Sequence, residues 1–136
     1  LNTSYLCANT TKEVVYVTKI MVVDDSSFMR TMIKNIVTQK GCEVVEASNA
    51  DEAIDKYKVE KPDLVFMDII MEGKTGLDAL KSIRDIDPEA VVVMCTSIGG
   101  QEHVIKEAVE YGAADFMTKP FKQQEIFDVI DKYARK

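Results

Sequence analysis

Residues 20–25 read IMVVDD and residues 64–68 read LVFMD, and these two stretches decide how the chain folds. Each is an apolar run that ends in acidic residues. A short apolar run between polar segments is typical of a buried parallel strand. In an open α/β sheet, functional groups gather beyond the carboxyl ends of the strands. We therefore expect Asp24, Asp25 and Asp68 to meet at one edge of a parallel sheet.

The composition is that of one compact globular domain. The chain has 136 residues, of which 46% are hydrophobic and 29% are charged, a size and balance that allow a substantial core. The formal net charge is −6 and no run of Lys and Arg is present, so we expect no binding to nucleic acid. No apolar stretch approaches the roughly 20 residues of a membrane span, so we expect no membrane association.

Cysteine usage predicts a reducing compartment. The cysteines are Cys7, Cys42 and Cys95, an odd number without C-x-x-C spacing. This pattern argues against a disulfide framework and against a zinc site. We expect the protein to be cytoplasmic.

Strand-like and helix-like segments alternate five times along the chain, which predicts a doubly wound α/β fold with helices on both faces of a parallel sheet. We expect Ser26 or Ser27 to cap the first helix and Asn49 to cap the second. The predicted strands are 19–23, 43–47, 64–67, 90–95 and 116–118, and the predicted helices are 28–40, 49–58, 77–86, 101–111 and 123–133.

Further polar residues follow the later strands and join the acidic cluster. Thr96 and Ser97 follow the fourth strand, and Lys119 follows the fifth. Clustered carboxylates repel one another unless a cation joins them, and a small set of oxygen ligands suits Mg²⁺. Lys119 can pair with Asp68 and then with a phosphoryl oxygen, and a hydroxyl can donate to another. The pattern predicts nucleophilic attack on phosphorus by Asp68, giving an acyl phosphate.

Five stretches of the sequence form a specific set of motifs: VDDSSFMR (23–30), FMDIIM (66–71), GLDAL (76–80), CTS (95–97) and DFMTKPF (115–121). Together and in this order they resemble the receiver domains of two-component response regulators, and within that family the single-domain chemotaxis type. The resemblance covers residues 18–136 and implies a flavodoxin-like sheet of order 2-1-3-4-5.

The resemblance also assigns roles in the site. It implies that Asp68 is phosphorylated and that Mg²⁺ is the cofactor. The implied metal ligands are Asp24, Asp25, Asp68 and the backbone carbonyl of Ile70.

Three further residues are implied to form the switch. Lys119 contacts the phosphoryl group, and the peptide bond that joins it to Pro120 is cis. Phe116 stands where the family commonly has a switch tyrosine. The family's spacing from the lysine points to Ser97 as the switch hydroxyl, whereas the motif context points to Thr96. We favour Thr96, because a small residue normally follows the hydroxyl residue.

We therefore expect a monomeric signalling switch and not a conventional enzyme. It would take phosphate from a histidine sensor kinase and signal, through the last two helices and the last strand, to a flagellar motor switch protein or adaptor. Ile70 and Ile98 would hinder hydrolytic water, so a separate phosphatase is expected.

Two alternatives remain for the function. One is a phosphorelay intermediate that passes phosphate to a histidine phosphotransfer protein. The other is a haloacid-dehalogenase-like phosphatase, which would need a D-x-D arrangement after the first strand and a cap domain, and neither is found in this sequence.

Some segments lie outside these assignments. We expect residues 1–17 to be an N-terminal extension, flexible or non-native, before a receiver domain over residues 18–136. The codons possible for Lys12-Glu13-Val14 include a ribosome-binding sequence and those for Val17 a start codon. His103 has no second ligand in view and is expected at the surface, and Gly99-Gly100 is a loop or a hinge.

Overall fold

The computed structural model describes residues 5–8, 13–97 and 102–133, with side chains from residue 17 onward. Seven strands and five helices are present in this part of the chain. In chain order they are β1 (Tyr5–Ala8), β2 (Glu13–Tyr16), β3 (Lys19–Val23), α1 (Ser27–Gln39), β4 (Glu43–Ala47), α2 (Ala50–Glu60), β5 (Leu64–Asp68), α3 (Gly76–Ile86), β6 (Val92–Thr96), α4 (Glu102–Glu110), β7 (Asp115–Thr118) and α5 (Gln123–Tyr133).

Five of the strands form one parallel sheet in the order β4-β3-β5-β6-β7. Counted within that sheet the order is 2-1-3-4-5, as the resemblance implies. β3 and β5 are neighbours, with Val23 opposite Met67. The predicted doubly wound fold is confirmed.

The sheet is covered on both faces, which explains why its central strands are continuous apolar runs. Side chains alternate between the faces of a strand. Met21 and Val23 of β3 therefore join a core cluster with α2 and α3. Ile20 and Val22 join a second cluster with α1 and α5. Within the described residues, none of the helices has both the length and the apolar character needed to cross a bilayer.

The caps of the first two helices follow the sequence signals. The Met29 amide donates to Ser26 Oγ at 3.3 Å, so Ser26 caps α1. The Glu52 amide donates to Asn49 Oδ1 at 2.8 Å, so Asn49 caps α2. Both caps lie just beyond the carboxyl end of a strand and fix the direction in which each helix leaves the sheet.

The fourth strand of the sheet starts later than predicted. We expected residues 90–95, whereas β6 spans Val92–Thr96. The Ala90 amide donates to the Asp87 carbonyl at 3.0 Å, which keeps this residue in the preceding turn. The strand also ends one residue later than predicted, so Thr96 is its last residue and does not follow it.

The N-terminal segment contains two strands that the sequence analysis did not predict. β1 and β2 pair antiparallel in a two-stranded sheet that is separate from the parallel one. Residues 14–16 read Val-Val-Tyr, a run of β-branched and aromatic residues that favours strand structure. The expectation that residues 1–17 form a flexible or non-native N-terminal extension is not tested by this pairing and stays a prediction.

Candidate functional site

Three carboxylates meet at the carboxyl edge of the parallel sheet, where the sequence placed them. Asp68 is the last residue of β5, and Asp24 directly follows the neighbouring β3. Asp24 is 2% exposed and Asp68 is 7% exposed, whereas Asp25 is exposed. One oxygen from each of the three residues lies within 4.8 Å of those of the others. This arrangement is suited to holding a cation between the three groups.

Lys119 reaches into the same cluster from the end of β7. Its Nζ lies 3.2 Å from Asp68 Oδ1 and 3.1 Å from Asp24 Oδ2. The pairing with Asp68 was anticipated from the sequence, but the pairing with Asp24 was not. The Lys119 amide also donates to the Thr96 carbonyl at 2.7 Å. The bond from Lys119 to Pro120 is cis, as the resemblance implies.

The charges of the site do not balance. Burial raises the pKa of Asp68, attraction to Lys119 opposes that rise, and repulsion from Asp24 and Asp25 adds to it. Burial alone would lower the pKa of Lys119, but attraction to Asp68 and Asp24 outweighs burial, so the pKa is raised. Lys119 is thus held as an ammonium, and one ammonium faces three acidic groups. The site has a surplus of negative charge that a cation would neutralise.

The two adjacent aspartates differ in how firmly they are held. Both carboxylate oxygens of Asp24 accept hydrogen bonds, and so does its backbone carbonyl. Within the described residues, the Asp25 carboxylate makes no hydrogen bond or ion pair and is free to bind a cation. The partners of Asp24 are the Ser26 amide at 2.8 Å, Lys119 Nζ at 3.1 Å, Arg30 Nη1 at 2.6 Å and, through the Asp24 amide, the Ala47 carbonyl at 3.2 Å.

The donor set fits a hard cation. All three side chains offer carboxylate oxygens, which Mg²⁺ prefers over nitrogen and sulfur ligands. In the described part of the chain, no amide or side-chain donor reaches the Ile70 carbonyl, so this oxygen is available as well. His103 is exposed on α4 and belongs to no group of potential metal ligands among the described residues.

The two candidate switch hydroxyls lie in different surroundings. Thr96 is 9% exposed, and its Oγ1 donates to the Met117 carbonyl at 3.5 Å. Ser97 is exposed and lines an apolar pocket of about 550 Å³. The other residues of that pocket are Phe28, Met29, Met32, Lys119 and Pro120.

The remaining predicted residues are a half-buried aromatic, an exposed isoleucine and a segment outside the described residues. Phe116 is half-buried and packs against the core cluster of α2 and α3. Ile70 lies beyond β5, and its side chain is 77% exposed. Ile98 and Gly99-Gly100 lie outside the described residues, so their predicted roles at the mouth of the site stay predictions.

Gly76 has a role that the sequence analysis did not identify. A Cβ atom on Gly76 would lie 2.0 Å from the Asp68 carbonyl oxygen. The Gly76 amide also donates to the Ile69 carbonyl at 2.8 Å. The first residue of α3 is therefore packed against the backbone that carries Asp68, and only glycine fits there. The available signal was a glycine directly after the Thr75 cap of α3.

The sequence profile of the response regulator receiver domain matches residues 20–131 of this chain. The chemotaxis protein CheY of Thermotoga maritima is 45% identical over 118 residues, which cover 86% of this chain and 98% of that protein. CheY of Bacillus subtilis is 47% identical over 115 residues, covering 84% and 95%.

Similarity extends to receivers outside chemotaxis. Sporulation initiation phosphotransferase F of Bacillus subtilis is 34% identical over 115 residues, covering 85% of this chain and 92% of that protein. The crystal structure of the receiver domain of NtrX from Brucella abortus superposes with a TM-score of 0.78 at 35% identity, covering 84% of this chain and 96% of that one. The fold and the sequence therefore point to the same family.

Gly76→Ala tests the close approach at Asp68. Overpacking against a backbone oxygen should cost about 1–3 kcal/mol of unfolding free energy and shift the NMR signals of the Asp68 and Ile69 amides. The control is Gly41→Ala, at a left-handed glycine with open space around its Cβ position. It should lose stability through backbone strain alone and leave those amide signals in place. Unmoved Asp68 and Ile69 signals in Gly76→Ala would contradict the steric argument.

The raised pKa of Asp68 predicts a pH-dependent stability difference. A carboxyl group whose pKa is higher in the folded than in the unfolded state destabilises the fold where it is ionised. The metal-free Asp68→Asn variant should therefore unfold at a higher temperature than the metal-free wild type at neutral pH. The difference should shrink as the pH falls through the folded pKa towards the ordinary value of 3.8. Thermal melts in chelator across this range measure it, and a difference that grows on acidification would show that the sign is wrong.

Proposed function

Since this chain belongs to the response regulator receiver family, we propose that it is a phosphoryl-accepting switch of the chemotaxis type in the cytoplasm. Asp68 accepts a phosphoryl group from the phosphohistidine of a sensor histidine kinase. The observation that supports this role is the position of Asp68, buried at a strand end with Lys119 Nζ 3.2 Å from one of its oxygens. We propose that the protein acts as a monomer and binds neither nucleic acid nor membranes, because the phosphoryl transfer requires none of these partners.

The transfer is a substitution at phosphorus. An Asp68 oxygen forms the new O–P bond while the N–P bond of the phosphohistidine breaks, and the electron pair of that bond goes to the imidazole. Lys119 already pairs with Asp68 and can move to a phosphoryl oxygen. Asp24, Asp25, Asp68 and the Ile70 carbonyl would hold Mg²⁺, which when bound would offset charge on the phosphoryl oxygens.

The output is transmitted from the switch hydroxyl to the surface. The hydroxyl of Thr96, or alternatively that of Ser97, donates to a phosphoryl oxygen. For Thr96 this hydrogen bond replaces the present one to the Met117 carbonyl. The half-buried Phe116 pairs with Met94 of β6 and packs against the core cluster that includes Ala108 of α4. Ile105 and Val109 of the same helix are exposed. We infer that the α4-β7-α5 face binds a flagellar motor switch protein or an adaptor. This assignment is supported by the identity of 45–47% to chemotaxis proteins.

A phosphorelay intermediate is the second candidate. It is favoured by the similarity to sporulation initiation phosphotransferase F, which is 34% identical. Such a protein would pass its phosphoryl group onward to a histidine phosphotransfer protein, whereas a chemotaxis receiver would lose it to water. The haloacid-dehalogenase-like alternative is not retained, because the chain belongs to the receiver family and its paired Asp24-Asp25 lacks D-x-D spacing.

Asp68→Asn tests the phosphorylation site. The wild type incubated with a small-molecule phosphodonor and Mg²⁺ should gain one acid-labile phosphoryl group, and mass spectrometry should locate it at Asp68. The variant should gain none, because an amide is not a competent nucleophile although it fills the same volume. Chelation of Mg²⁺ should abolish labelling of the wild type. Labelling of Asp68→Asn at the wild-type level would refute the assignment.

Ile70→Asn tests the lifetime of the phosphorylated state. Ile70 stands two residues beyond Asp68, is 77% exposed and offers an attacking water no hydrogen bond. An asparagine amide could orient that water. One such hydrogen bond corresponds to hydrolysis that is about two- to tenfold faster. The matched control is Ile86→Asn, at an isoleucine 44% exposed on α3.

The measurement is the decay of phosphorylated protein after the phosphodonor is removed. Equal decay of Ile70→Asn and Ile86→Asn would rule out shielding by Ile70. Slow decay of the wild type would support the proposed need for a separate phosphatase.

A further inference from the structure

Arg30 is a largely buried cation in the first turn of α1, and the proposed chemistry gives it no role. Its side chain is 17% exposed. Nη1 donates to the backbone carbonyl of Asp24 at 2.6 Å, and Nε donates to Glu46 Oε1 of β4 at 3.3 Å. The Arg30 amide donates to the Ser26 carbonyl at 3.0 Å. Arg30 thus binds both ends of the segment that contains Asp25.

The contact of Arg30 with the Asp24 carbonyl fixes the orientation of the backbone that carries the Asp25 side chain. The carbonyl of Asp24 and the amide of Asp25 share one planar peptide unit. Holding the carbonyl oxygen therefore sets the orientation of that whole plane. Among the described residues, the Asp25 carboxylate has no hydrogen-bond or ion-pair partner of its own, so its position depends on the backbone that carries it.

The guanidinium is itself held in place. Glu46 binds Arg30 through Oε1, and its Oε2 lies 3.3 Å from Lys34 Nζ. The planar guanidinium carries donors in a rigid arrangement, so it can contact the Asp24 carbonyl and the Glu46 carboxylate at once. Arg30 is a largely buried charge held by two hydrogen bonds, one to Asp24 and one to Glu46. A group of this kind can orient a metal ligand without itself binding the metal.

We propose that Arg30 is a positioning residue that orients Asp25 for Mg²⁺ by holding the Asp24–Asp25 peptide plane. This inference rests on the proposed metal site and adds to it a residue that does not touch the metal. Glu46 supports the function by fixing the guanidinium.

Electrostatics and positioning predict opposite effects when Arg30 is replaced. Removing a positive charge near an acidic site should strengthen cation binding, because the repulsion between Arg30 and Mg²⁺ disappears. Removing a positioning residue should weaken cation binding, because Asp25 loses its preset orientation. The sign of the change therefore separates the two roles.

The experiment measures Mg²⁺ affinity by isothermal titration calorimetry in the absence of any phosphodonor. Arg30→Met keeps an unbranched stem and removes the donors, and it should weaken Mg²⁺ binding about tenfold. Arg30→Lys should restore most of the affinity, because an ammonium can still donate to the Asp24 carbonyl. Lys34→Met is the matched control, since it removes a charge from the same Glu46 without touching Asp24, and its affinity should be unchanged or higher.

A second readout follows the backbone directly. In metal-free protein, Arg30→Met should shift the NMR signal of the Asp25 amide, and Lys34→Met should leave it in place. Should Arg30→Met fail to fold, Arg30→Gln takes its place, because its shorter side chain cannot reach both acceptors and should give the same weakening. Mg²⁺ affinity that is unchanged or increased in the folded Arg30 variant would overturn the inference.

Asp25→Ala separates this inference from the proposed function. If Asp25→Ala weakens Mg²⁺ binding and the Arg30 variant does not, the metal site stands and the role of Arg30 is wrong. If Asp25→Ala leaves Mg²⁺ binding unchanged, the metal site is wrong and the role of Arg30 falls with it.

Discussion

Repulsion among Asp24, Asp25 and Asp68 is the constraint on which the rest of the site depends. Their oxygens lie within 4.8 Å of one another, a spacing that like charges avoid unless the surrounding structure prevents their separation. Lys119 offsets part of the charge, and the remainder leaves the site open to a divalent cation. The fold therefore maintains an unfavourable local charge at this edge of the sheet, as the proposed binding of a cation and a phosphoryl group requires.

The fold opposes this repulsion with a rigid support. β3 and β5 are central strands, with a core cluster on each face of the sheet, so their carboxyl ends cannot move apart without disturbing both clusters. The close packing of Gly76 against the Asp68 carbonyl limits movement on one side. The Arg30 contact with the Asp24 carbonyl limits it on another.

Local signals in the sequence were enough to predict the parallel sheet, a cap at Ser26 or Ser27, the cap at Asn49, and the convergence of the acidic residues. These features follow from apolar runs, capping residues and the geometry of parallel strands, all of which depend on near neighbours in the chain. The second contact of Lys119 could not be predicted, because it joins two residues that are distant in the sequence. The steric demand at Gly76 involves residues close in the sequence, but it depends on the path of the loop between β5 and α3, which the residue types in that loop do not determine. The late start of β6 depends on a turn bond between Asp87 and Ala90, and no propensity of the strand residues indicates it.

The two contacts of Lys119 bear on the ease with which the site can be reset. Its ammonium lies at nearly equal distances from Asp24 and Asp68. When a modification neutralises or lengthens the Asp68 side chain, Lys119 keeps Asp24 as its partner and is not left as an isolated buried cation. The lysine can therefore pivot about Asp24, and it need not be expelled into solvent and drawn back in each cycle. A lysine that keeps one carboxylate partner throughout never loses all of its compensating charge, which suits the reversible modification proposed for Asp68.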